Sequence, residues 1–306
     1  MKILVILASY NGGKYIKEQV ESILSQVGVS VDIKVFDDAS NDNTLHVLGI
    51  FKEDERLQIT QNPVGSGSAA SNFFNAIKSI SDDIISGYDF VAFADQDDIW
   101  LPEKLKIASS RLLKDQSSLY CSNLILWDEK SNSESIINKA YKQKIFDYLF
   151  EGGSAGCTYV FTDDFCLGLK KVLEATNYAH WKYFSHDWFV YFYARINGLL
   201  VSIDNNAYIK YRIHSDNVHG QLNKNSVYAI KERLKLIKNG WYFQQIKGYN
   251  KFISPGSLEG EIYHLYTKNY FSRLYVLLRY NFELMRSPKK FIQFFIISLL
   301  PIRVNK

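Results

Sequence analysis

Three carboxylates fall within four positions of the stretch FADQDDIWLPEKL, residues 93–105: Asp95, Asp97 and Asp98. Like charges at that range repel, so the cluster calls for a positive partner. The apolar run YDFVAFA leads straight into it, which places the acids at the end of a buried strand. Two carboxylates one residue apart at a strand end can reach one divalent cation. Mg²⁺ and Mn²⁺ take hard oxygen ligands and keep positions open for substrate phosphates, and the ion's charge removes the repulsion. The competing reading is a solvated acidic turn in which Asp98 caps the helix that LPEKL begins.

Two further stretches hold groups able to do chemistry. In SHDWFVYFYARING a helix is expected to start near Ser185, with His186, Asp187 and Trp188 in its first turn. An acid there suits a helix N-terminus; it also suits a general base. Trp188 and Trp181 offer faces on which a sugar could stack, although core packing accounts for them equally well. In YRIHSDNVHG, Arg212 presents a planar fork that could hold a phosphate, and His214 an imidazole. A lone histidine is more often structural, but Arg212, Asn217 and Gly220 keep it company.

These groups need a frame. KILVILASY reads as a short buried strand ending at the turn NGG, and KYIKEQVESILSQ as a helix with Ile16, Val20, Ile23 and Leu24 on one face. VDIKVFDDAS is a second strand, NDNTLHVLGIFKE a helix capped by Asn or Asp, and LQIT a third strand. A small-residue loop, GSGSAAS, enters the next helix; YDFVAFADQDD is a strand, and LPEKLKIASSRLLKD a helix. Such alternation implies a doubly wound, mainly parallel α/β sheet, with ligand at the carboxyl ends of its strands. Tyr10, Asp37, Asp38 and the Asp95 cluster all fall at those ends. No G-x-G-x-x-G follows the first strand and no Gly-Lys-Ser/Thr loop is present, which removes the dinucleotide fold and the P-loop.

The chain has 306 residues, 47% hydrophobic and 22% charged, an ordinary globular composition. Three cysteines without metal-type spacing read as reduced thiols. The run ILVILA, short and without a cleavage region, is read as a strand rather than a signal peptide. The net charge of +4 is unevenly placed: from Lys268 to Lys306 eight basic residues face one acid, Glu283. That tail includes FIQFFIISLLPI, too short to span a bilayer, and its basic, aromatic, amphipathic character suits a membrane interface. Packing against protein is the alternative.

ILASYNGGKYIKEQVESILSQ, VFDDASNDNT and DQDDIWLPEKL, in this order and spacing, resemble the inverting family 2 glycosyltransferases of GT-A fold. The resemblance covers roughly residues 1–220, with a nucleotide-sugar half at about 1–115 and an acceptor half at about 116–220; 221–306 would form a helical, basic appendage. It implies a nucleoside-diphosphate-sugar donor and Mn²⁺ or Mg²⁺ on Asp95 and Asp97, with His214 completing the metal or diphosphate site. Ala8, Tyr10, Asp38, Asp95, Gln96 and Arg212 would line the nucleotide, Tyr10 packing on a pyrimidine whose N3–H meets Asp38. Asp187 would be the general base, with His186 and Trp188 beside the acceptor. Ser71 stands where many relatives carry Arg. DQDDIW, HDW and YR-x-H-x-x-N-x-x-G together resemble the bacterial rhamnosyltransferases that use dTDP-L-rhamnose for surface polysaccharide. A lipid-linked glycan acceptor, a peripheral position on the inner face of the plasma membrane and a homo-oligomer are consistent with that; no nucleic-acid partner is expected. A nucleotidyl- or phosphotransferase, or a non-catalytic nucleotide-sugar binder, would use the same acidic site.

Overall fold

The computed structural model describes residues 1–178, 181, 184–213, 235 and 239–300. They fall into two compact units, each taken by itself. The first comprises Met1–Ala140, Gly153–Asn177 and Ser185–His214; the second comprises Tyr141–Gly152, Tyr178–Phe184 and Ser215–Lys306. Two short segments from inside the span expected to be catalytic therefore belong with the tail.

Among the described residues the first unit holds one nine-stranded sheet. Its parallel half is β3 (Leu57–Gln61), β2 (Ser30–Asp37), β1 (Lys2–Ser9) and β4 (Phe90–Ala94), in that order. β1 lies between β2 and β4, and Ile3 to Leu7 are wholly buried. A strand covered on both faces reads as a continuous apolar run rather than an alternation, as ILVIL and FVAFA do. α1 (Ile16–Leu24), α2 (Thr44–Leu48) and α3 (Ala69–Ser79) follow β1, β2 and β3, and the short α4 (Asp82–Ile85) precedes β4.

Past β4 the sheet is mixed. The short β5 (Ile99–Trp100) and α5 (Lys104–Lys114) precede β6 (Leu119–Asp128), β7 (Ser133–Ile137) and β8 (Val160–Thr162). β8 joins β4 to β6 and is antiparallel to both. After α6 (Asp163–Glu174) and α7 (His186–Ile196), β9 (Val201–Arg212) pairs parallel with β6 and antiparallel with β5. The apolar start of β9, VSI, continues through DNNAYIKYR. That extra length carries Arg212 back beside the acidic turn.

The second unit is helical: α8 (Trp241–Tyr249), α9 (Leu258–Lys268), α10 (Tyr270–Tyr280) and α11 (Pro288–Ser298). The Ser257 hydroxyl caps α9, Asn269 and Ser272 form a capping box on α10, and Ser287 caps α11 ahead of Pro288. Phe150, Tyr263, Tyr266 and Phe294 form its aromatic centre.

The tail's charge is less available than its composition implies. Arg286 is 3% exposed beside the buried Asp147 and Glu151, and the Lys290 ammonium lies 2.9 Å from Glu151. Burial alone would raise the Glu151 pKa, but Lys290 and Arg286 more than offset it and hold it low. Arg273 is also buried, donating to the carbonyls of Tyr266 and Ser298. These cations hold the unit together rather than face an outside partner.

Candidate active site

The loops after β1 and β2 are laced together. Asn11 N–H donates to the Ser40 hydroxyl at 2.8 Å and Asn41 N–H to the Asn11 side chain at 2.9 Å. Gly12 N–H reaches Thr44, and Gly13 N–H reaches Asp42. Asn11 takes φ 50, a left-handed conformation that asparagine tolerates better than most residues. Asp37 is fully buried and accepts from the Ser9 hydroxyl and from Ser40 N–H; its task is the turn. Asp38 accepts from the Asn62 amide and from Ser66, both in the loop after β3. Its carboxylate is thereby fixed at the mouth of that loop.

Tyr10 follows the end of β1 with its side chain 54% exposed, so its ring is free to meet a flat ligand, while Ala8 is buried within the strand. Gln96, in the turn after β4, grips the Tyr10 backbone through both ends of its carboxamide. The residue between the paired aspartates thus ties the acidic turn to the loop after β1.

Behind that turn the acids converge. Ligand atoms of Asp95, Asp98 and Cys157 lie within 4.8 Å of one another. Asp98 is 1% exposed, and neither carboxylate oxygen has a well-formed hydrogen bond; only the Cys157 thiol and the Arg212 backbone come near enough to favour its anion slightly. It is therefore not the solvated helix cap of the simpler reading, and Glu103, at the N-cap position of α5, makes no side-chain cap. Burial, then Asp97 and Asp95, push the Asp98 pKa far above the carboxylate range. Asp95 keeps some accessible surface yet is enclosed by protein, and burial, then Asp97 and Asp187, raise its pKa to about 7.

A buried carboxylate with unmet oxygens, set beside two further acids, fits a hard divalent cation. The structure also shows what else balances the charge. Lys104 is 1% exposed, with its ammonium 3.2 Å from the Trp100 ring centroid. Burial lowers its pKa to about 7, against the opposing pull of Cys157 and Asp98. Neither Lys104 nor Cys157 was singled out in the sequence. Lys104 stands four positions after Trp100 and six after Asp98, a spacing that could have raised it. Cys157 comes from a separate turn before β8 and carries no local signal.

Asp187 approaches from the other half of the unit. Ser185 N-caps α7 by position; its hydroxyl and the Trp188 N–H both donate to Asp187 Oδ1. The Asp187 carbonyl accepts from Tyr159 at 2.9 Å. His186 lies tilted against Phe73, with centroids 4.6 Å apart, and meets Phe93 edge-on. A Cβ on Gly156 would come within 2.1 Å of its Nε2, so that glycine makes the slot in which His186 turns.

Two expected contacts are not available. Trp188 is 4% exposed and offers no open face for a sugar. Arg212 is 1% exposed: its Nη1 donates to Glu129 at 2.6 Å, its Nη2 to Glu18, and its Nε to the Asp97 carbonyl at 3.0 Å. Its guanidinium lies between the Tyr15 and Trp127 rings. With two carboxylates already on it, it steadies the acidic turn instead of gripping a phosphate. Trp181 packs with Phe184 and Tyr249 in the helical unit. His214, Asn217 and Gly220 lie outside the described residues.

A mixed sheet of this order, ringed by helices, defines the GT-A fold. Residues 4–176 match glycosyl transferase family 2, and the chain belongs to that family. It is 34% identical over 243 residues to dTDP-rhamnosyl transferase RfbG of Shigella flexneri, covering 78% of this chain and 82% of that one. Among solved structures it resembles the Staphylococcus aureus TarS fragment 1–349 in complex with UDP, with a TM-score of 0.58 at 18% identity over 98% of this chain and 89% of that one. It also resembles the mannosyltransferase PcManGT of Pyrobaculum calidifontis in complex with GDP-Man and Mn²⁺, with a TM-score of 0.52 at 14% identity over 97% and 83%. The protein is a hexosyltransferase.

Proposed function

We propose that this glycosyltransferase moves one sugar, with inversion, from a nucleoside-diphosphate sugar to a glycan acceptor in bacterial surface polysaccharide synthesis. dTDP-rhamnose is the favoured donor, supported by the similarity to RfbG over most of both chains; a UDP-hexose is the alternative. One observation carries the mechanism. The Asp187 charge lies close enough to Asp95 to help raise its pKa, which supports one reacting centre shared by the acceptor-side acid and the donor-side acids.

The nucleotide would lie over the β1 and β2 loops, its base against Tyr10 and within reach of Asp38. Asp97, Asp95 and Asp98 would hold Mn²⁺ or Mg²⁺, with His214 a further proposed ligand. When bound, the ion would offset the diphosphate's negative charge as the leaving group departs. The hydrogen bonds to Asp187 fall on Oδ1, which leaves Oδ2 to accept the proton of the acceptor hydroxyl. The acceptor's hydroxyl oxygen then attacks the anomeric carbon opposite the nucleotide. The carbon–oxygen bond to the diphosphate breaks, and the nucleoside diphosphate leaves with the electron pair. His186, wedged between Phe73 and Phe93, keeps the helix start in place.

The acceptor is read as a lipid-linked glycan at the inner face of the plasma membrane, with residues 1–220 catalytic and the C-terminal region 221–306 meeting the membrane. No helix among the described residues is long and apolar enough to cross one. A donor panel assayed by nucleoside-diphosphate release, with Mn²⁺ and with chelator, tests the catalytic reading. Release from one donor, dependent on metal and stimulated by a glycan acceptor, is expected. Pyrophosphate release would indicate nucleotidyl transfer, and an intact donor a binding protein.

A further inference from the structure

Reading the helical region as membrane-facing leaves open which surface faces the lipid, and the inference here rests on that reading. α10 is apolar on two sides. Val276 and Leu277 are fully buried within the unit. On the other side Phe271, Tyr275 and Leu278 are 79%, 54% and 61% exposed, and their spacing of four and three aligns them in one stripe. Tyr270 at its start and Phe282 just beyond its end are exposed as well, as are Ile292 and Ile296 on α11. Single exposed apolar residues are ordinary, but a helix-long row with two aromatic rings is a contact surface.

The charges around the stripe select its partner. From Ile262 to Leu300 the sole acid is Glu283, which pairs with Lys144. Arg273 and Arg286 are buried and Lys290 is held by Glu151. Lys268, Arg279 and Lys289 stay exposed. An apolar, aromatic face edged by cations matches an anionic bilayer interface, where rings settle at headgroup depth and cations meet lipid phosphate. A twofold contact with a second copy would instead set these cations against one another. We propose that the Phe271–Tyr275–Leu278 face of α10 inserts into the interface of an anionic membrane, so that apolar burial, rather than the tail's net charge, provides most of the hold.

The test is sedimentation of the full chain with phosphatidylglycerol/phosphatidylethanolamine vesicles and with phosphatidylcholine vesicles. The variant Phe271→Ser/Tyr275→Ser/Leu278→Ser changes exposed positions, and its fold is checked by circular dichroism. Its vesicle binding should fall by roughly tenfold or more at both low and high salt, as expected for lost apolar burial. Lys268→Glu/Arg279→Glu should lose binding chiefly at low salt. A Phe271→Trp variant should gain emission that brominated lipid quenches. Wild-type failure to sediment, an undiminished triple variant or an unquenched Trp would overturn the proposal. So would a wild-type dimer that the triple variant breaks, because the face then belongs to a second copy. Nucleoside-diphosphate release with a water-soluble acceptor should be unchanged in the triple variant. Vesicle binding that the triple variant abolishes, without turnover on any donor, would sink the transferase mechanism and leave the lipid face standing.

Discussion

Gln96 holds the backbone of Tyr10 from both directions: Tyr10 N–H donates to Oε1 at 2.8 Å, and Nε2 donates to the Tyr10 carbonyl at 3.0 Å. The loop expected under the nucleotide base is thus tied to the turn expected to hold the metal. A side chain at position 12 would break the tie, because a Cβ there would lie 2.2 Å from the Gln96 Oε1. Gln96→Ala leaves every carboxylate in place but frees Tyr10. With two hydrogen bonds lost, UDP or dTDP affinity should fall roughly tenfold, in chelator as well as with Mn²⁺. Calorimetric titration under both conditions checks this; a loss seen only with metal would make Gln96 part of the ion site instead.

The metal assignment predicts a pH dependence of definite sign. Without an ion, Asp95 holds its proton up to about pH 7, and a ligating carboxylate must release it. Mn²⁺ affinity should therefore weaken as pH falls from 8 to 6, by roughly tenfold per displaced proton and pH unit below that pKa. Stability without metal runs the other way. A carboxyl whose folded pKa is raised keeps its proton where the unfolded chain has lost it, so stability should decline as pH rises from about 4 to about 7. The midpoint of thermal unfolding, followed across pH with and without Mn²⁺, reads both effects. Asp97→Ala should remove the Mn²⁺ effect on donor binding and keep the fold. Donor titrations that respond to Mn²⁺ as in wild type would remove Asp97 from the site.

The parallel half of the fold is legible because its strands announce themselves locally. ILVIL and FVAFA are continuous apolar runs, each ending in polar residues that could only sit at a sheet's ligand edge. The start of α7 is legible for the same reason, since Ser185 and Asp187 mark it. The antiparallel strands are not legible, because β8 is three residues long and owes its place to neighbours on both sides. Nor does local sequence reveal that Arg212 is matched by Glu18 and Glu129, which precede it by 194 and 83 positions. Asp98 looks like its half-buried neighbours Asp95 and Asp97 until full burial separates it from them. The tail's charge misleads for a related reason: its counter-ions, Asp147 and Glu151, come from a segment more than a hundred residues earlier.

That pairing makes a stability prediction. Arg286 is buried beside two acids that are themselves at most 8% exposed. Arg286→Met would leave Asp147 and Glu151 facing each other without it, at a cost of about 3–5 kcal/mol. Urea unfolding should show the loss, whereas Lys289→Glu, at an exposed position, should stay within about 0.5 kcal/mol. If the two variants unfold alike, the network is not what holds the second unit together.

The general base is the assignment on which turnover depends. Asp187→Asn keeps the shape of the side chain and can still accept from Ser185 and the Trp188 N–H through its carbonyl oxygen. The helix start should therefore persist, and the donor, which lies over the β1 and β2 loops in the proposed pose, should bind within a few-fold of wild type. What the amide cannot do at neutral pH is take a proton. Transfer should fall by roughly 10²–10⁴, the usual worth of a positioned base. A loss in turnover with binding intact marks an interaction made only in the transition state. The measurement is paired: donor titration by calorimetry, and nucleoside-diphosphate release with acceptor present. Removing one negative charge near Asp95 should also lower the Asp95 pKa, so Mn²⁺ should bind the variant better at pH 6 than it binds wild type. A purely structural Asp187 outside the reacting centre would not produce that shift. Near-normal turnover in Asp187→Asn would move the base elsewhere, with His186 the next residue to test.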